Sequence, residues 1–335
     1  MSTYAAGRDD FLGAAKRIAP WARETPVLRS SWMDAAAGRE VHFKCELFQR
    51  TGSFKFRGAT NAVMNLPEDR AQRGVVTHSS GNHAQALALA ARLRGIPAHV
   101  VMPEDSAKSK IAAVKGYGGR VILCRPTLAE RERVATEVLA ETGGALIPPY
   151  DHPDVIAGQG TIALELAKQV SRFDAIIAPV GGGGMLSGIA LAAREFVPNA
   201  RVIGAEPESV GDAAKSKLVG ARQGATGAVT LADGLRTSLG ELTWPVVRDI
   251  VDSIATVTEL QIREAMRMIY ERMKLVIEPS AAVGVAALLG PLRGRGDFGS
   301  CCVVLCGGNV DLDALSAMLG HSSPSREESA GARTA

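Results

Sequence analysis

The stretch APVGGGGMLSGIALAA, residues 178–193, decides the fold class. It is typical of an apolar β-strand that turns directly into a helix, with four glycines at the junction. Because glycine has no Cβ, successive backbone N–H groups can converge here on an anion that the helix dipole also attracts. The Gly-Lys-Ser/Thr sequence of a P-loop is missing, and the glycine block lacks the spacing of a dinucleotide fingerprint. The stretch therefore predicts a site for one phosphate monoester, with a plain tight turn as the alternative.

Strand-like and helix-like segments alternate on both sides of this junction. The strand-like runs are VVTH (75–78), AHVVMP (98–103), RVILC (120–124), DAIIAPV (174–180), RVIGAEP (201–207) and CCVVLC (301–306). Helical patterns separate most of them, and amphipathic stretches lie at 258–274 and 280–290. This alternation predicts βαβ crossovers, which place strands in parallel sheets covered on both faces. The predicted fold class is α/β, and ligands of such sheets lie beyond the carboxyl ends of the strands.

Composition and charge exclude several classes of protein. A chain of 335 residues, 46% hydrophobic and with 36 glycines, fits an enzyme of two lobes, or one large α/β unit with a smaller partner. The formal charge of +3 comes without a basic run, so neither nucleic acid nor a membrane is an expected partner. The N-terminus carries charges where a signal peptide needs an apolar segment, so we expect a cytoplasmic protein. The five cysteines lack CxxC spacing, which predicts free and mostly buried thiols.

Two other junctions carry polar groups suited to a ligand. In THSSGNHAQ, residues 77–85, hydroxyl, amide and imidazole groups occur where a helix begins, and such donors can hold a carboxylate. An ordinary helix N-cap is the alternative for Ser80 or Asn82. In VVLCGGNVDL, residues 303–312, a strand ends at Cys306, which is either a thiol on the ligand side of the sheet or a core residue.

One lysine stands out because of its neighbours. In GSFKFRGA, residues 52–59, Lys55 lies between Phe54 and Phe56, although lysine is normally a solvated residue. Pyridoxal 5′-phosphate would explain four features together. These are a lysine, a phosphate cradle, a carboxylate-binding loop and a small polar group at a strand end. That cofactor has a phosphate monoester, an aldehyde that condenses with a lysine, a phenolic oxygen and a ring nitrogen. We therefore expect this cofactor and a small-molecule amino-acid substrate.

Six motifs occur in a fixed order between about Arg17 and Leu315, namely GSFKFRGA, SSGNHAQALA, VIAGQGTIALE, PVGGGGMLSGIA, AEPE and CGGNVDL. Together they closely resemble the fold type II pyridoxal-phosphate enzymes of the threonine/serine dehydratase and serine racemase group. The resemblance implies a tryptophan synthase β-like α/β fold, with two open parallel-rich lobes and the cofactor in the cleft between them. It implies a discontinuous large cofactor-binding domain, residues 1–70 and 152–320, and a small domain, residues 71–151. The polar residues 321–335 are predicted to form a disordered tail.

The resemblance also assigns roles to individual residues. Lys55 would form the Schiff base with the cofactor and then act as the base on one face of the substrate, while Ser80 would be the acid/base on the other face. Phe54 would pack on the cofactor ring, Asn82 would contact its phenolic oxygen, and Cys306 would face its ring nitrogen. The matched phosphate loop comprises Gly181, Gly182, Gly183, Gly184 and Met185. The loop that would receive the substrate carboxylate comprises Ser79, Ser80, Gly81 and His83.

A divalent cation and a second protomer are further implications of the resemblance. Relatives hold the cation with a glutamate, a backbone carbonyl and an aspartate at positions that match Glu206, Val210 and Asp212. Oxygen ligands suit Mg²⁺ or Ca²⁺, and solvated loop acids are the alternative. A homodimer is expected, with a tetramer as the alternative. No regulatory domain is expected after the last motif.

The activity expected from the sequence is a dehydratase (ammonia-lyase) that converts L-threonine or L-serine to a 2-keto acid and ammonia. Cys306 stands where serine is commonest in the family. A thiol is a weak donor and, unlike an aspartate, cannot keep a ring nitrogen protonated. This favours α,β-elimination, in which a leaving group departs as the Cα proton is removed. Serine racemase is an alternative because of Ser80, and 3-hydroxyaspartate ammonia-lyase is another because Arg131 could bind the extra carboxylate. A dehydratase of hydroxyectoine catabolism and a catalytically silent ligand sensor are the remaining alternatives.

Overall fold

Two separate sheets carry the strands in the computed structural model, which describes residues 4–319. The strands, numbered in chain order, are β1 (Val27–Leu28), β2 (Glu40–Cys45), β3 (Val75–His78), β4 (Ala98–Pro103), β5 (Arg120–Cys124), β6 (Ala145–Leu146), β7 (Ala175–Pro179), β8 (Arg201–Pro207), β9 (Ser253–Val257) and β10 (Ser300–Leu305). The larger sheet has the order β1-β2-β10-β7-β8-β9, and the smaller sheet has the order β5-β4-β3-β6. Strand β1 pairs antiparallel with β2, and the other pairs are parallel. The predicted α/β class with parallel sheets is confirmed.

Helices connect the strands and cover the sheets. In chain order they are α1 (Arg8–Ile18), α2 (Ser31–Ala37), α3 (Lys55–Asn65), α4 (Glu68–Ala71), α5 (Asn82–Arg94), α6 (Lys108–Gly116), α7 (Leu128–Thr142), α8 (Pro153–Gln169), α9 (Gly184–Phe196), α10 (Asp212–Val219), α11 (Thr243–Asp249), α12 (Glu259–Met268), α13 (Pro279–Leu289) and α14 (Leu315–Met318). The apolar helix α13 packs against β7, β8 and β10 in the main core. The amphipathic stretch at 258–274 is divided, because α12 gives way to a π-helical segment at Ile269–Met273.

The two sheets draw on different parts of the chain. Strands of the smaller sheet lie between residues 75 and 146, whereas the larger sheet uses strands from both sides of that span, at 27–45 and 175–305. The chain thus leaves the larger sheet, builds the smaller one and returns. The proposed domain boundaries, residues 1–70 and 152–320 around 71–151, stay a prediction. The predicted tail at 321–335 lies outside the described residues.

Helix α3, which begins at Lys55, lies very close to α8. A Cβ at Gly58 would lie 2.4 Å from Gln159 Nε2, and a Cβ at Gly158 would lie 2.6 Å from the Cα of Gly58. Side chains at either position would push the helices apart, so the two glycines permit this close approach. The start of α3 is thereby fixed against α8.

A buried ionic cluster also holds α3. The Arg57 side chain is fully buried, and it donates through Nε to Glu46 at 2.7 Å and through a terminal nitrogen to Glu165 at 2.6 Å. Lys44 on β2 donates to the same Glu165 at 2.6 Å. Buried charges of this kind are tolerated only when they are paired, so the cluster fixes α3 relative to β2 and α8.

The cysteine prediction is confirmed, since all five cysteines are free and buried. Within residues 4–319, no helix combines the length and the apolar character needed to cross a membrane.

Candidate active site

Backbone hydrogen bonds join the segment before Lys55 to the end of β10. The N–H of Phe54 donates to the carbonyl of Cys306 at 3.0 Å, and the N–H of Gly308 donates to the carbonyl of Gly52 at 2.9 Å. These contacts bring a lysine at a helix start and a thiol at the carboxyl end of a strand into one site. The site therefore lies beyond the carboxyl ends of the parallel strands, where ligands of α/β proteins bind.

The Lys55 side chain is partly buried and makes no ion pair within residues 4–319. Its Nζ donates to the carbonyl of Pro149 at 2.7 Å and lies 5.1 Å from the centre of the Phe54 ring. Burial lowers the pKa of Lys55 to about 8, although the nearby Cys306 and Glu278 oppose the shift. A substantial fraction of the amine is therefore neutral near pH 8, and the neutral amine is the form that attacks a carbonyl or accepts a proton.

The glycine loop between β7 and α9 is shaped as a cradle. A Cβ at Gly182 would lie 2.4 Å from the Tyr150 ring, and a Cβ at Gly181 would lie 2.9 Å from the Cα of Leu235. Gly183 has φ of +86°, a left-handed conformation that glycine adopts without strain. The bare backbone of the loop and the start of the 13-residue helix α9 therefore offer N–H groups to an anion. The cradle fits the phosphate of the expected cofactor, and Met185 is the second residue of α9.

The loop after β3 brings Asn82 to the same place. The Asn82 side-chain amide donates from Nδ2 to both carboxylate oxygens of Glu278, at 2.9 and 3.0 Å. Asn309 donates from Nδ2 to Asn82 Oδ1 at 2.8 Å. The orientation of the Asn82 amide is thus set from both ends, with its N–H₂ group directed towards Glu278. Because Glu278 in turn lies near Lys55 and Cys306, residues from both sheets meet here.

The hydroxyl and imidazole groups of this loop have different surroundings. Ser80 is partly buried, and its hydroxyl makes no hydrogen bond to any of residues 4–319. Ser79 Oγ accepts from the N–H of Gly81 at 3.4 Å. The His83 ring is buried with Nε2 2.9 Å from the carbonyl of Ile147. Burial, helped by the nearby Lys55, lowers the pKa of His83 to about 3, so this ring is neutral, and its Nδ1 atom has no hydrogen-bond partner among residues 4–319.

Arg131 on α7 lies near the carboxyl end of β3. Its positive charge adds to the effect of burial in lowering the pKa of His78, the last residue of that strand. The Arg131 Nε atom is buried without a hydrogen-bond partner among residues 4–319. An arginine donor is therefore available close to the Ser79–His83 loop.

The three residues proposed for a cation lie apart from this cluster. Glu206 is buried at the end of β8, where it accepts from the N–H groups of Ala213 and Ala214 at 3.1 and 2.9 Å. Asp212 is buried as well, and both of its carboxylate oxygens lack a partner within residues 4–319. Burial raises the pKa of Glu206 to about 8 and that of Asp212 to about 6. Among the described residues, no group of three or more His, Cys, Asp or Glu side chains is placed to hold a metal ion. Of the three proposed ligands, Val210 would contribute its backbone carbonyl.

Sequence reasoning missed three residues of the site. Glu278 and Tyr150 received no role, and Asn309 lies in the CGGNVDL motif but was not assigned one. A signal for Glu278 exists in VIEPSAAVGVAALLG, where a single acidic residue interrupts an apolar run. Nothing in the sequence pairs Tyr150 with the glycine loop. The site roles assigned to the other residues stay predictions.

Comparison with known proteins gives strong matches over most of the chain. A serine racemase of Arabidopsis thaliana is 50% identical over 316 residues, which cover 93% of this chain and 96% of the relative. The structure of maize serine racemase superposes with a TM-score of 0.92 at 46% identity, covering 94% of this chain and 97% of that one. The structure of a serine racemase from Dictyostelium discoideum superposes with a TM-score of 0.89 at 45% identity, covering 92% of this chain and 100% of that one.

These similarities contradict the dehydratase expected from the sequence as the main activity. Identity of 45–50% over most of the chain is to proteins named serine racemases, so the racemase alternative fits better. Elimination was expected because the Cys306 thiol is a weak hydrogen-bond donor. The structure adds a buried carboxyl group, Glu278, whose Oε1 lies 4.0 Å from Cys306 Sγ.

The family prediction is confirmed by the same comparisons. The sequence profile described as "Pyridoxal-phosphate dependent enzyme" matches residues 18–307. The structural neighbours also confirm fold type II with parallel sheets. The chain belongs to the family of pyridoxal-phosphate dependent enzymes.

Proposed function

We propose that this enzyme interconverts L-serine and D-serine. The observation that carries the proposal is the 50% identity, over 93% of the chain, to a protein named serine racemase. The geometry supports it through two groups that can handle a proton, Lys55 at the start of α3 and Ser80 in the loop after β3. They approach the site from segments that belong to different sheets.

Side chains of this site fit the cofactor part by part. The cradle at 181–184 would hold the phosphate, Phe54 would pack on the ring, and Asn82 would contact the phenolic oxygen. Cys306 would face the ring nitrogen, and Lys55 would bind the aldehyde carbon. When bound, the cofactor supplies an electron-withdrawing ring that makes the Cα–H of the amino acid acidic.

Inversion requires proton exchange on two opposite faces of Cα. Lys55 Nζ can accept the proton on one face, because burial lowers its pKa to about 8 and leaves neutral amine available. Ser80 Oγ can deliver a proton to the other face, since no hydrogen bond to residues 4–319 ties up its hydroxyl. In the reverse direction the two groups exchange roles.

The substrate carboxylate needs donors close to these two groups. Helix α5 begins at Asn82, and the N–H groups in its first turn have no intrahelical partners. We assign the carboxylate to this N-terminus, with Ser79, Ser80, Gly81 and His83 as the loop that surrounds it. Arg131 would add a positive charge nearby.

A cation at Glu206, Val210 and Asp212 is part of the proposal. Two unpartnered buried oxygens on Asp212 are unfavourable without a ligand, and a divalent ion would satisfy them. The site lies on the segment after β8, so the ion would order that loop. A homodimer is likewise proposed from the resemblance, and sedimentation measures it directly.

The proposed function is tested with L-serine in D₂O, followed by chiral chromatography and mass spectrometry. Wild-type enzyme is expected to form D-serine labelled at Cα. Ser80→Ala should lower D-serine formation by about 10²–10⁴-fold, the usual contribution of a general acid or base, while Lys55 still exchanges the Cα proton of L-serine. Ser109→Ala, at an exposed position on α6, serves as the matched control and should act as wild type. Formation of pyruvate and ammonia without any D-serine would overturn the proposal.

A further inference from the structure

The glycine loop between β7 and α9 carries buried donors that have no partner. Its residues are buried, and the backbone N–H groups of Gly181, Gly182 and Gly183 donate to no atom among residues 4–319. Buried backbone N–H groups in native proteins are almost always hydrogen-bonded, so a ligand is expected to accept from these donors. Each donor reaches an anion only if its peptide unit is turned the right way. The groups that set the orientation of these peptide units therefore matter for the site.

Thr243 contacts one of these peptide units. Its side chain is fully buried at the first position of α11, and its Oγ1 donates to the carbonyl of Gly182 at 2.8 Å. The N–H of Gly240 donates to the same Oγ1 at 2.8 Å. A hydroxyl has one hydrogen, and the carbonyl of Gly240, at 3.5 Å, is the more distant of its two acceptors. The Thr243 hydroxyl is therefore held with its hydrogen directed at Gly182.

The carbonyl of Gly182 and the N–H of Gly183 belong to one peptide unit. In a planar trans peptide unit these two groups point in opposite directions and can turn only together. Because the carbonyl is bound to Thr243, the N–H of Gly183 is directed away from Thr243, towards the open side of the loop. Thr243 also packs directly under Gly183, where a Cβ would lie 2.9 Å from Thr243 Oγ1.

Asp151 holds the turn that presents Thr243. Its carboxylate accepts from the N–H groups of Glu241 and Leu242, both at 2.9 Å. The approach is close, since a Cβ at Gly240 would lie 2.2 Å from the Asp151 carboxylate. Hydrogen bonds to an ionised carboxylate are among the stronger ones in proteins. The turn before α11 is thereby anchored, and Thr243 is kept next to the glycine loop.

We propose that Thr243 is a positioning residue for the cofactor phosphate, and that it acts by turning the N–H of Gly183 towards that group. The inference rests on the proposed function in one respect, the assignment of the phosphate to the glycine loop. Thr243 donates to the loop and not to the cofactor, so its effect is confined to ligands that carry the phosphate.

The first test compares two ligands of the cofactor-free protein, pyridoxal 5′-phosphate and pyridoxal, which has the same ring and aldehyde but no phosphate. The visible absorbance of the lysine-bound ligand gives each dissociation constant. Thr243→Val keeps the shape of the side chain without the hydroxyl, so pyridoxal 5′-phosphate should bind about 10–100-fold more weakly, the effect of one hydrogen bond to a charged group. Pyridoxal should bind as it does to wild type. Thr243→Ser restores the hydroxyl and should recover the affinity for pyridoxal 5′-phosphate.

Thr142→Val is the matched control. The Thr142 hydroxyl has the same pattern of partners, because it donates to the carbonyl of Val138 at 2.7 Å and accepts from the N–H of Gly144 at 3.2 Å. It lies at the end of α7, away from the glycine loop, so both ligands should bind this variant as they bind wild type. Urea denaturation checks that each cofactor-free variant is folded. Asp151→Ala releases the turn and should show the same selective loss, which keeps the inference testable if Thr243→Val does not fold.

The second test uses nuclear magnetic resonance of cofactor-free wild type with labelled glycine. Glycine carrying ¹³C at the carbonyl and ¹⁵N at the amide selects the Gly–Gly pairs of the chain, among them Gly182–Gly183. The amide proton of Gly183 should move downfield as inorganic phosphate is added, because it donates to the anion.

Three results would overturn the inference even if wild type makes D-serine. They are a Gly183 amide that phosphate does not shift, a folded Thr243→Val that binds pyridoxal 5′-phosphate as tightly as wild type, and an equal weakening of both ligands, which would indicate a general loss of packing. If wild type makes no D-serine but Thr243→Val weakens only the phosphate-bearing ligand, the inference stands and the proposed function fails.

Discussion

Replacing Lys55 by methionine should stabilise the cofactor-free protein while abolishing its activity. Lys55 is held partly buried without an ion pair among residues 4–319, whereas most lysines remain in water. Methionine has a similar length, carries no charge and packs well beside aromatic rings such as that of Phe54. The change therefore separates two effects of Lys55, its contribution to catalysis and the loss of folding stability caused by its burial.

The size of the effect follows from the pKa and from one hydrogen bond. Burial moves the pKa of Lys55 from its ordinary 10.5 to about 8. At ~1.36 kcal/mol for each pKa unit, the charged amine costs the folded state about 3 kcal/mol. Methionine also loses the hydrogen bond to the carbonyl of Pro149, a contact of about 1 kcal/mol. The net gain expected near pH 7 is about 2 kcal/mol.

The pH dependence has a definite sign. Because the pKa of Lys55 is lower in the folded protein than in the unfolded chain, the unfolded chain binds more protons between pH 8 and 10.5. The stability of wild type attributable to this group therefore rises over that window, and the advantage of Lys55→Met shrinks. Below about pH 8 the advantage is constant.

Urea denaturation of the cofactor-free proteins at pH 7 and pH 10 measures both effects. Lys44→Met is the matched control, because Lys44 is also buried but donates to Glu165, Gln169 and the carbonyl of Thr25. Breaking that paired site should destabilise the protein by about 3–5 kcal/mol. In holoenzyme assays Lys55→Met should lack the visible absorbance of the lysine-bound cofactor and lose several orders of magnitude in turnover. A Lys55→Met protein less stable than wild type at pH 7 would refute the reasoning.

Three further changes test other parts of the structure. Gly182→Ala places a methyl group 2.4 Å from an aromatic ring, so cofactor affinity followed by absorbance should weaken by about 1–3 kcal/mol; Gly116→Ala, with nothing within 4 Å of its Cβ, should leave affinity unchanged. Arg57→Met leaves two buried carboxylates without their partner, and chemical denaturation should show a loss of about 3–5 kcal/mol; an unchanged midpoint would contradict the role given to the ionic cluster. Asn309→Ala removes the donor to Asn82 Oδ1, and cofactor titration should show binding weaker by about 1–3 kcal/mol with the fold intact; affinity equal to wild type would contradict the orienting role.

The sequence predicted the strands that end at glycine-rich or polar loops, because β-branched runs and glycines carry strong local signals. It did not predict β2, whose sequence EVHFKC includes His42 and Lys44. Lys44 can be buried there only because Glu165 and Gln169, over 100 positions later, receive its hydrogens. Such partners depend on the tertiary fold, so no local pattern shows them. The two-residue strands β1 and β6 are too short for any periodicity.

The sequence predicted those site residues whose motifs indicate a specific chemical group. Lys55, Asn82 and the glycine loop carry such signals, and Lys55 and Asn82 lie close to Cys306 and Glu278 in the structure. The motifs do not separate a racemase from a lyase, because both need the same lysine and the same phosphate cradle. Glu278 comes close to Cys306 only when the start of α13 meets the end of β10, and local sequence does not report that contact.

The central position of β10 in the larger sheet also determines when the sheet can form during synthesis on the ribosome. Strand β10 separates β2 from β7 in the larger sheet, so β2 has no parallel neighbour until residues 300–305 have been made. About 255 residues lie between the two strands, and at ~5–20 residues per second the delay is about 13–50 s. During that interval the segment with Lys55 lacks its backbone partner at Cys306. A nascent chain therefore completes the site only after residues 300–306 have been made, and a polypeptide truncated before residue 300 carries the lysine and the glycine loop without the strand that joins them.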